Sequence, residues 1–241
     1  MKTYICILAS LCVACASQLS AQTSVAFNLG GPGETMHDTM IFANGGVTTT
    51  ATAWSASRSN LSAGFQQSEL VQWSPGIGVK NSTEVITNTP YVPYYVDNQD
   101  HYDFILFVFD QKVDITSVTI TPSAGTFDLD ASYYLGNVST GLNLTSDVFA
   151  DLAAYGFGSR INNDSTYASH SPRTFSINAP ADGVNALLIG ARVSGDADYD
   201  RFKISSLQAT TIPGTPAVVP EPATAGLLVG SLALLLGRRR R

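Results

Sequence analysis

Charged side chains are scarce in this sequence: they make up 13% of its 241 residues, against roughly 25% in an average soluble domain. Long surface helices, which draw on Glu and Lys, are therefore not expected. Ser, Thr, Asn and Gly take the place of the missing charges and suit exposed β-strands and turns. Cysteine is scarcer still. Cys6, Cys12 and Cys15 all fall within the first sixteen residues. A chain that loses that segment has no disulfide, no thiol nucleophile and no cysteine zinc site. Cations are few in the body: residues 22–219 hold eight Lys and Arg against eighteen Asp and Glu, a net of −10. A phosphate backbone needs a basic face, so nucleic acid is not an expected partner. His37, His101 and His170 lie far apart. There is no Gly-x-Ser-x-Gly, no His-Glu-x-x-His, no phosphate-binding glycine loop and no paired cysteine. The body is read as non-enzymatic on that ground.

What is present is most explicit at the two ends. Lys2 precedes an apolar run from Tyr4 to Ala16 and then small residues, the layout of a secretory signal peptide. Ala14-Cys15-Ala16 fits the cleavage step, cleavage after Ala21 is an alternative, and acylation of Cys15 is a third. The segment is assigned to residues 1–21. At the other end, Val219-Pro220-Glu221-Pro222 leads into an apolar stretch from Ala223 to Gly237 and then Arg238, Arg239, Arg240 and Arg241. Pro222 is excluded from a helix interior and marks a helix start. Glu221 places a negative charge where the helix dipole favours it. Leu227, Leu228, Leu234, Leu235 and Leu236 make the stretch apolar enough to enter a membrane. Its fifteen residues reach roughly 22 Å, short of a hydrocarbon core of about 30 Å. Local thinning and snorkelling of the arginine stems close that gap. The arginines are expected to stay on the cytoplasmic side, and Lys2 argues the same for the N-terminus, so the body lies outside.

Residues 219–241 resemble the PEP-CTERM sorting domain, also called the ice-binding protein C-terminal domain: Pro220-Glu221-Pro222, a short apolar helix and a terminal arginine cluster are all in place. The resemblance implies an exosortase, an integral-membrane transpeptidase, as processing partner. It would cut near Pro220-Glu221-Pro222 and release the body to the cell surface. It also implies association with exopolysaccharide and biofilm matrix. An ordinary tail anchor is the alternative. Before the motif, residues 210–219 carry Pro213, Gly214 and Pro216 and are expected to form an extended linker. The last segment, 220–241, is the sorting and anchoring unit, with a single transmembrane helix.

Residues 22–209 are expected to be the ectodomain. Period-two alternation marks strands at Ser24–Leu29, Val113–Ile120, Phe127–Ala131, Phe175–Ile177, Val184–Val193 and Phe202–Leu207. The near-continuous apolar run Phe104–Phe109 predicts a central strand. Asp110-Gln111-Lys112 predicts a turn. Ser146 to Tyr155, with a capping Ser146 and a closing Gly156, predicts the one short helix. Seven or eight strands of this kind predict an all-β, antiparallel, jelly-roll-like β-sandwich. Val96-Asp97-Asn98 with Asp103–Asp110, and Ala186–Gly190 with Asp196–Ile204, also resemble segments of PEP-CTERM surface proteins, more loosely. That likeness implies a shared sandwich and no activity.

Two acidic clusters are candidate calcium ligands: Asp97, Asn98, Asp100 and Asp103, and Asp196, Asp198 and Asp200. The second begins like an EF-hand loop, but Arg201 stands where Gly is required. Solvated turns are the simpler reading, and no cofactor other than calcium is expected. Trp73, Tyr91, Tyr94, Tyr95 and Tyr102 are candidate sugar contacts if their rings are exposed in a row. Three functions stay open at this point: a structural or adhesive surface protein, a polysaccharide-binding module with or without calcium, and a secreted hydrolase with a dispersed site.

Overall fold

The structure is a computed structural model and describes residues 22–84, 94–122, 128–165, 170–194 and 199–213. The predicted signal peptide and C-terminal helix lie outside the described residues. Among the described residues no helix is long and apolar enough to cross a membrane.

The fold is all-β, and the described residues form thirteen strands: β1 Ser24–Asn28, β2 Thr35–His37, β3 Thr39–Asn44, β4 Val47–Ser57, β5 Phe65–Trp73, β6 Gly76–Lys80, β7 Val96–Asp97, β8 His101–Pro122, β9 Ala131–Gly136, β10 Ile161–Asn163, β11 Arg173–Ser176, β12 Val184–Ala191 and β13 Arg201–Thr211. Every ladder between them is antiparallel. β1 shows why the alternation works: Val25 and Phe27 face the core while Ser24, Ala26 and Asn28 face solvent. The β3–β4 hairpin turns on Gly45 and Gly46, with φ of 56° and 78°. Two consecutive positive φ values make a type I′ turn, which glycine enters without steric cost.

β8 organises the rest. Its first half pairs with β4 on one edge and β12 on the other. Its second half pairs with β13 and β11. The predicted turn at Asp110-Gln111-Lys112 is therefore absent, and the strand runs through it. Those three polar residues mark where β8 changes partners. Asp110 Oδ1 accepts the Thr48 N–H at 3.1 Å, and Gln111 Nε2 donates to the Gly46 carbonyl at 3.1 Å, so the β3–β4 hairpin ties them down. The register of β12 on β8 shifts at the same place, between Val184 and Ala186. β13, β6, β5, β4 and β8 pair in succession and return to β13, a closed circuit. Closure removes the open edges that these five strands would otherwise present.

The main core fills this circuit, with Phe27, Leu70, Ile105, Phe107, Phe109, Ile115, Ile120, Phe202 and Leu207 among its buried residues. A second cluster lies on the opposite face of β4, β8 and β12: Trp54, Phe65, Phe104, Leu106, Tyr134 and Leu188 pack there. It is covered by Leu142, Leu144, Phe149, Leu152 and Phe157. This explains the Phe104–Phe109 run, since that part of β8 is buried on both faces.

The covering segment is not the predicted helix. Only Asp151–Tyr155 forms a 3-10 turn, closed by Gly156 with φ of 97°. Ser146 has φ of 70° and does not cap it. The cause is a competing pairing: Ser146 N donates to the Phe65 carbonyl at 2.8 Å, and Phe65 N donates to the Asp147 carbonyl at 2.7 Å. These bonds hold the segment against β5 and take the groups a first helical turn would need. The linker boundary also moves. β13 continues to Thr211, with Thr210 opposite Ser24 on β1.

Candidate functional site

The first acidic cluster does not form one cage, because a strand end and a turn aim its members apart. Asp97 accepts the Gln99 N–H at 3.1 Å and lies 3.8 Å from Arg201 Nε. Asp100 lines an open cleft with Ser57, Ser59 and His101. Asp103, inside β8, is fully buried. Its Oδ1 accepts from Ser55 Oγ at 2.5 Å and Asn81 Nδ2 at 3.5 Å, while its Oδ2 has no hydrogen-bond partner among the described residues. Burial, followed by the nearby Asp97 charge, pushes its carboxyl well above the usual range.

Asn98 goes elsewhere and meets a residue of the second cluster. Its Nδ2 donates to Asp200 Oδ2 at 2.6 Å, and Asp200 N donates to Asn98 Oδ1 at 3.0 Å. Asp196 and Asp198 lie outside the described residues. Asp200 instead joins Asp128 and Asp130, and carboxylate oxygens of these three lie within 4.8 Å of one another. Hard oxygens suit calcium, but it takes six to eight of them, and these are already engaged. Asp130 N donates to Asp200 Oδ1 at 2.9 Å and Leu129 N to Asp128 Oδ1 at 2.8 Å. Ser165 bonds both Asp128 and Asp130, through its hydroxyl and its N–H respectively. Arg192 Nη1 lies 3.4 Å from Asp130 Oδ2 and also pairs with Asp164. Arg173 Nη1 donates to the Leu129 carbonyl at 2.6 Å. Burial raises the Asp130 carboxyl above its ordinary value. The arrangement is a knot tying β9, β12 and β13 together, in which Arg192 already supplies a positive charge beside Asp130. The period-two alternation over Phe127–Ala131 places Asp128 and Asp130 at the polar positions of a predicted strand. Their Asp-x-Asp spacing before β9 was the available signal.

The aromatic candidates do not form an exposed row. Tyr94, Tyr95 and Tyr102 are buried, Trp73 is half-buried, and Tyr91 lies outside the described residues. Tyr102 faces Phe149 in the second cluster. The others hold cations: Lys80 Nζ lies 5.8 Å from the Tyr94 ring, Arg201 Cζ 4.6 Å from Tyr95, and Lys203 Nζ 4.5 Å from Trp73 and 5.5 Å from Tyr95. Among the described residues these rings lie against cations or within the core rather than in an exposed row.

Lys203 is 2% exposed and its ammonium has no hydrogen-bond partner among the described residues. Burial lowers its pKa to about 8. The unfolded chain binds this proton up to about pH 10, so unfolding takes up a proton between those values and stability rises with pH across them. Wild type is expected to gain about 1–3 kcal/mol relative to Lys203→Met between pH 7.5 and 9.5. Urea denaturation of both at the two pH values reads the difference, and parallel pH profiles would rule this account out.

A polar cleft of about 650 Å³ opens beside the buried Asp103. Asp38 lines it between β2 and β3, β5 supplies Ser68 and Glu69, β6 supplies Lys80, and the following turn supplies Asn81 and Glu84. Ser68 Oγ is 2.8 Å from Ser55 Oγ, which bonds Asp103. Lys80 is bound to Glu69 at 2.5 Å. Glu84 Oε2 accepts the Asn81 N–H at 2.9 Å, and burial raises the Glu84 carboxyl to about 7. No family model, no curated protein and no solved structure matches this chain.

Proposed function

We propose that this protein is exported to the cell surface, sorted by an exosortase through Pro220-Glu221-Pro222, and acts without catalysis as a structural or adhesive component of the exopolysaccharide matrix. The carrying observation is the C-terminal sequence: the tripeptide, the apolar stretch from Ala223 to Gly237 and Arg238 to Arg241 follow one another at the chain end. The body's geometry supports it. β1 and β13 run side by side, with Thr211 N donating to the Thr23 carbonyl at 2.9 Å. A signal peptide and a membrane tether would thus leave the body at one place, and the remaining strands would project from it. The absence of cysteine after Cys15 makes the body indifferent to the redox state outside the cell. We read the antiparallel sheet that β8 closes onto β13 as a β-sandwich of the jelly-roll kind.

Intact mass of the protein recovered from the host's surface and medium, with and without the exosortase, tests the sorting. The expected mature form starts near Ser17 or Gln22, ends near Pro220, and depends on the exosortase. A form that keeps Arg241 in both strains would overturn the reading and leave a plain membrane-anchored domain.

A further inference from the structure

The turn after β6, residues 81–84, is fastened by carboxyl groups. Asn81 is buried, and its N–H donates to Glu84 Oε2 at 2.9 Å. Its Oδ1 accepts the Thr83 N–H at 3.1 Å and the Thr83 hydroxyl at 2.7 Å. Its Nδ2 donates to Asp103 Oδ1 at 3.5 Å. One asparagine thus ties the turn to a carboxyl inside β8 that is fully buried, has Ser55 as its other donor, and has no partner for Oδ2 among the described residues. Asp97 on β7 is a third buried carboxyl, and its charge acts on both Glu84 and Asp103. The cations that face Glu84 are Lys80 on β6 and Arg201 on β13. Each is engaged by another carboxylate: Glu69 lies 2.5 Å from Lys80 Nζ, and Asp97 3.8 Å from Arg201 Nε. Asp100 and His101 face Asp97, and His101 Nδ1 lies 3.4 Å from Thr83 Oγ1. The turn stands between two clefts. Asn81, Ser82 and Glu84 line the one of about 650 Å³, and Thr83 lines a second of about 410 Å³ with Ser57, Asp100 and His101.

We propose that this turn is a proton-operated latch: it stays closed on Asp103 while Glu84 and Asp103 hold their protons, and their ionisation releases it and opens the wall between the two clefts. An ionised Asp103 is a buried charge solvated by one hydroxyl and one long amide bond, with no ion pair among the described residues. Opening the turn admits water to Oδ2. For Glu84 the Asn81 N–H favours the charged form. Burial outweighs that bond and the Asp97 charge adds to burial, so the carboxyl rises to about 7. Burial and the Asp97 charge raise Asp103 as well. Released carboxyls return to their ordinary acidity, so opening sheds protons and is favoured as pH rises. The latch holds in full below about pH 4.5 and weakens as pH climbs through about 7. It is a property of the body and does not depend on how the ends are processed.

Hydrogen exchange of the full chain in detergent tests this, read by mass spectrometry at pH 5 and pH 8 and corrected for the intrinsic pH dependence of exchange. The N–H groups of Asn81, Thr83 and Glu84 are all bonded within the turn and report its opening. Their protection is expected to fall at least about tenfold from pH 5 to pH 8, while the buried strand β12 keeps its own. Glu84→Gln keeps an oxygen for the Asn81 N–H and removes the titration, so its turn is expected to stay protected at pH 8. Asp103→Asn is expected to shrink the pH effect too, with β12 protection showing that the variant is folded. Asp182→Asn, whose partner Lys112 stands further along β8, is expected to behave as wild type. Equal turn protection at the two pH values, a fall shared in full by β12, or an undiminished fall in Glu84→Gln and Asp103→Asn would each overturn the proposal.

Discussion

Asp200→Ala is expected to lower the unfolding free energy by about 3–5 kcal/mol, the range for breaking a buried charged network. Asp200 is fully buried just before β13. Its carboxylate accepts from Asn98 Nδ2 at 2.6 Å, Asp130 N at 2.9 Å and Arg192 N at 3.3 Å. Alanine would remove the acceptor from all three, although Asn98 Nδ2 keeps its bond to the Arg192 carbonyl at 3.2 Å; each buried donor left unsatisfied costs about 1–3 kcal/mol before relaxation. It would also weaken the charge balance around Arg192. Asp200→Asn retains one acceptor oxygen but turns an amide N–H₂ towards a donor, so a smaller loss is expected. Urea denaturation of the three chains measures the order. A loss below about 1 kcal/mol for Asp200→Ala would show that the knot relaxes without it. Because Arg192, Ser165 and backbone N–H groups already serve these carboxylates, EDTA is expected to leave the midpoint unchanged. A drop with EDTA that calcium restores would show a cation bridging Asp128, Asp130 and Asp200.

Phe104→Ala is expected to cost about 3–5 kcal/mol, the range for removing a buried aromatic ring. Phe104 is fully buried. Its ring centroid lies 5.7 Å from that of Phe149, 6.1 Å from Phe65 and 6.4 Å from Tyr134. Opposite it on β12 stands Gly190, which needs to be glycine: a Cβ there would come 2.1 Å from the Asp103 carbonyl oxygen and 2.7 Å from the Phe104 ring. Alanine at position 104 would open a void above that glycine. Phe149, on a covering segment without regular helix, would lose one of its ring contacts. Chemical denaturation with an unchanged m-value is the expected signature. A cost below about 1.5 kcal/mol would mean that the covering segment collapses into the space.

The strands were legible where a single face is buried. Val25 and Phe27 on β1, and Val113, Ile115, Val118 and Ile120 on β8, alternate with polar neighbours and need no partner to be recognised. The segment from 30 to 100 was illegible for two reasons: β2 and β7 span three and two residues, too few for a period to show, and β4 buries Thr49, Ala51, Ala53 and Ser55, small or polar side chains that give little apolar signal. The Asp110–Lys112 trio misled because a polar break in an apolar run looks the same whether a strand reverses or changes partners. The aromatic cluster misled for a related reason. Composition places Tyr94 and Tyr95 near Trp73, yet nothing local shows that Arg201 and Lys203 will arrive beneath them.

By itself the sequence determined the all-β class and a body without cysteine after Cys15, since period-two burial and a missing residue type are both local properties. Tertiary structure alone decided the closure of β8 on β13, the meeting of Asn98 with Asp200, and the cleft that gathers Asp38, Ser68 and Glu84 from three separate parts of the chain. Those depend on which strand takes which partner and in what register, and a one-residue slip would turn every side chain involved to the other face.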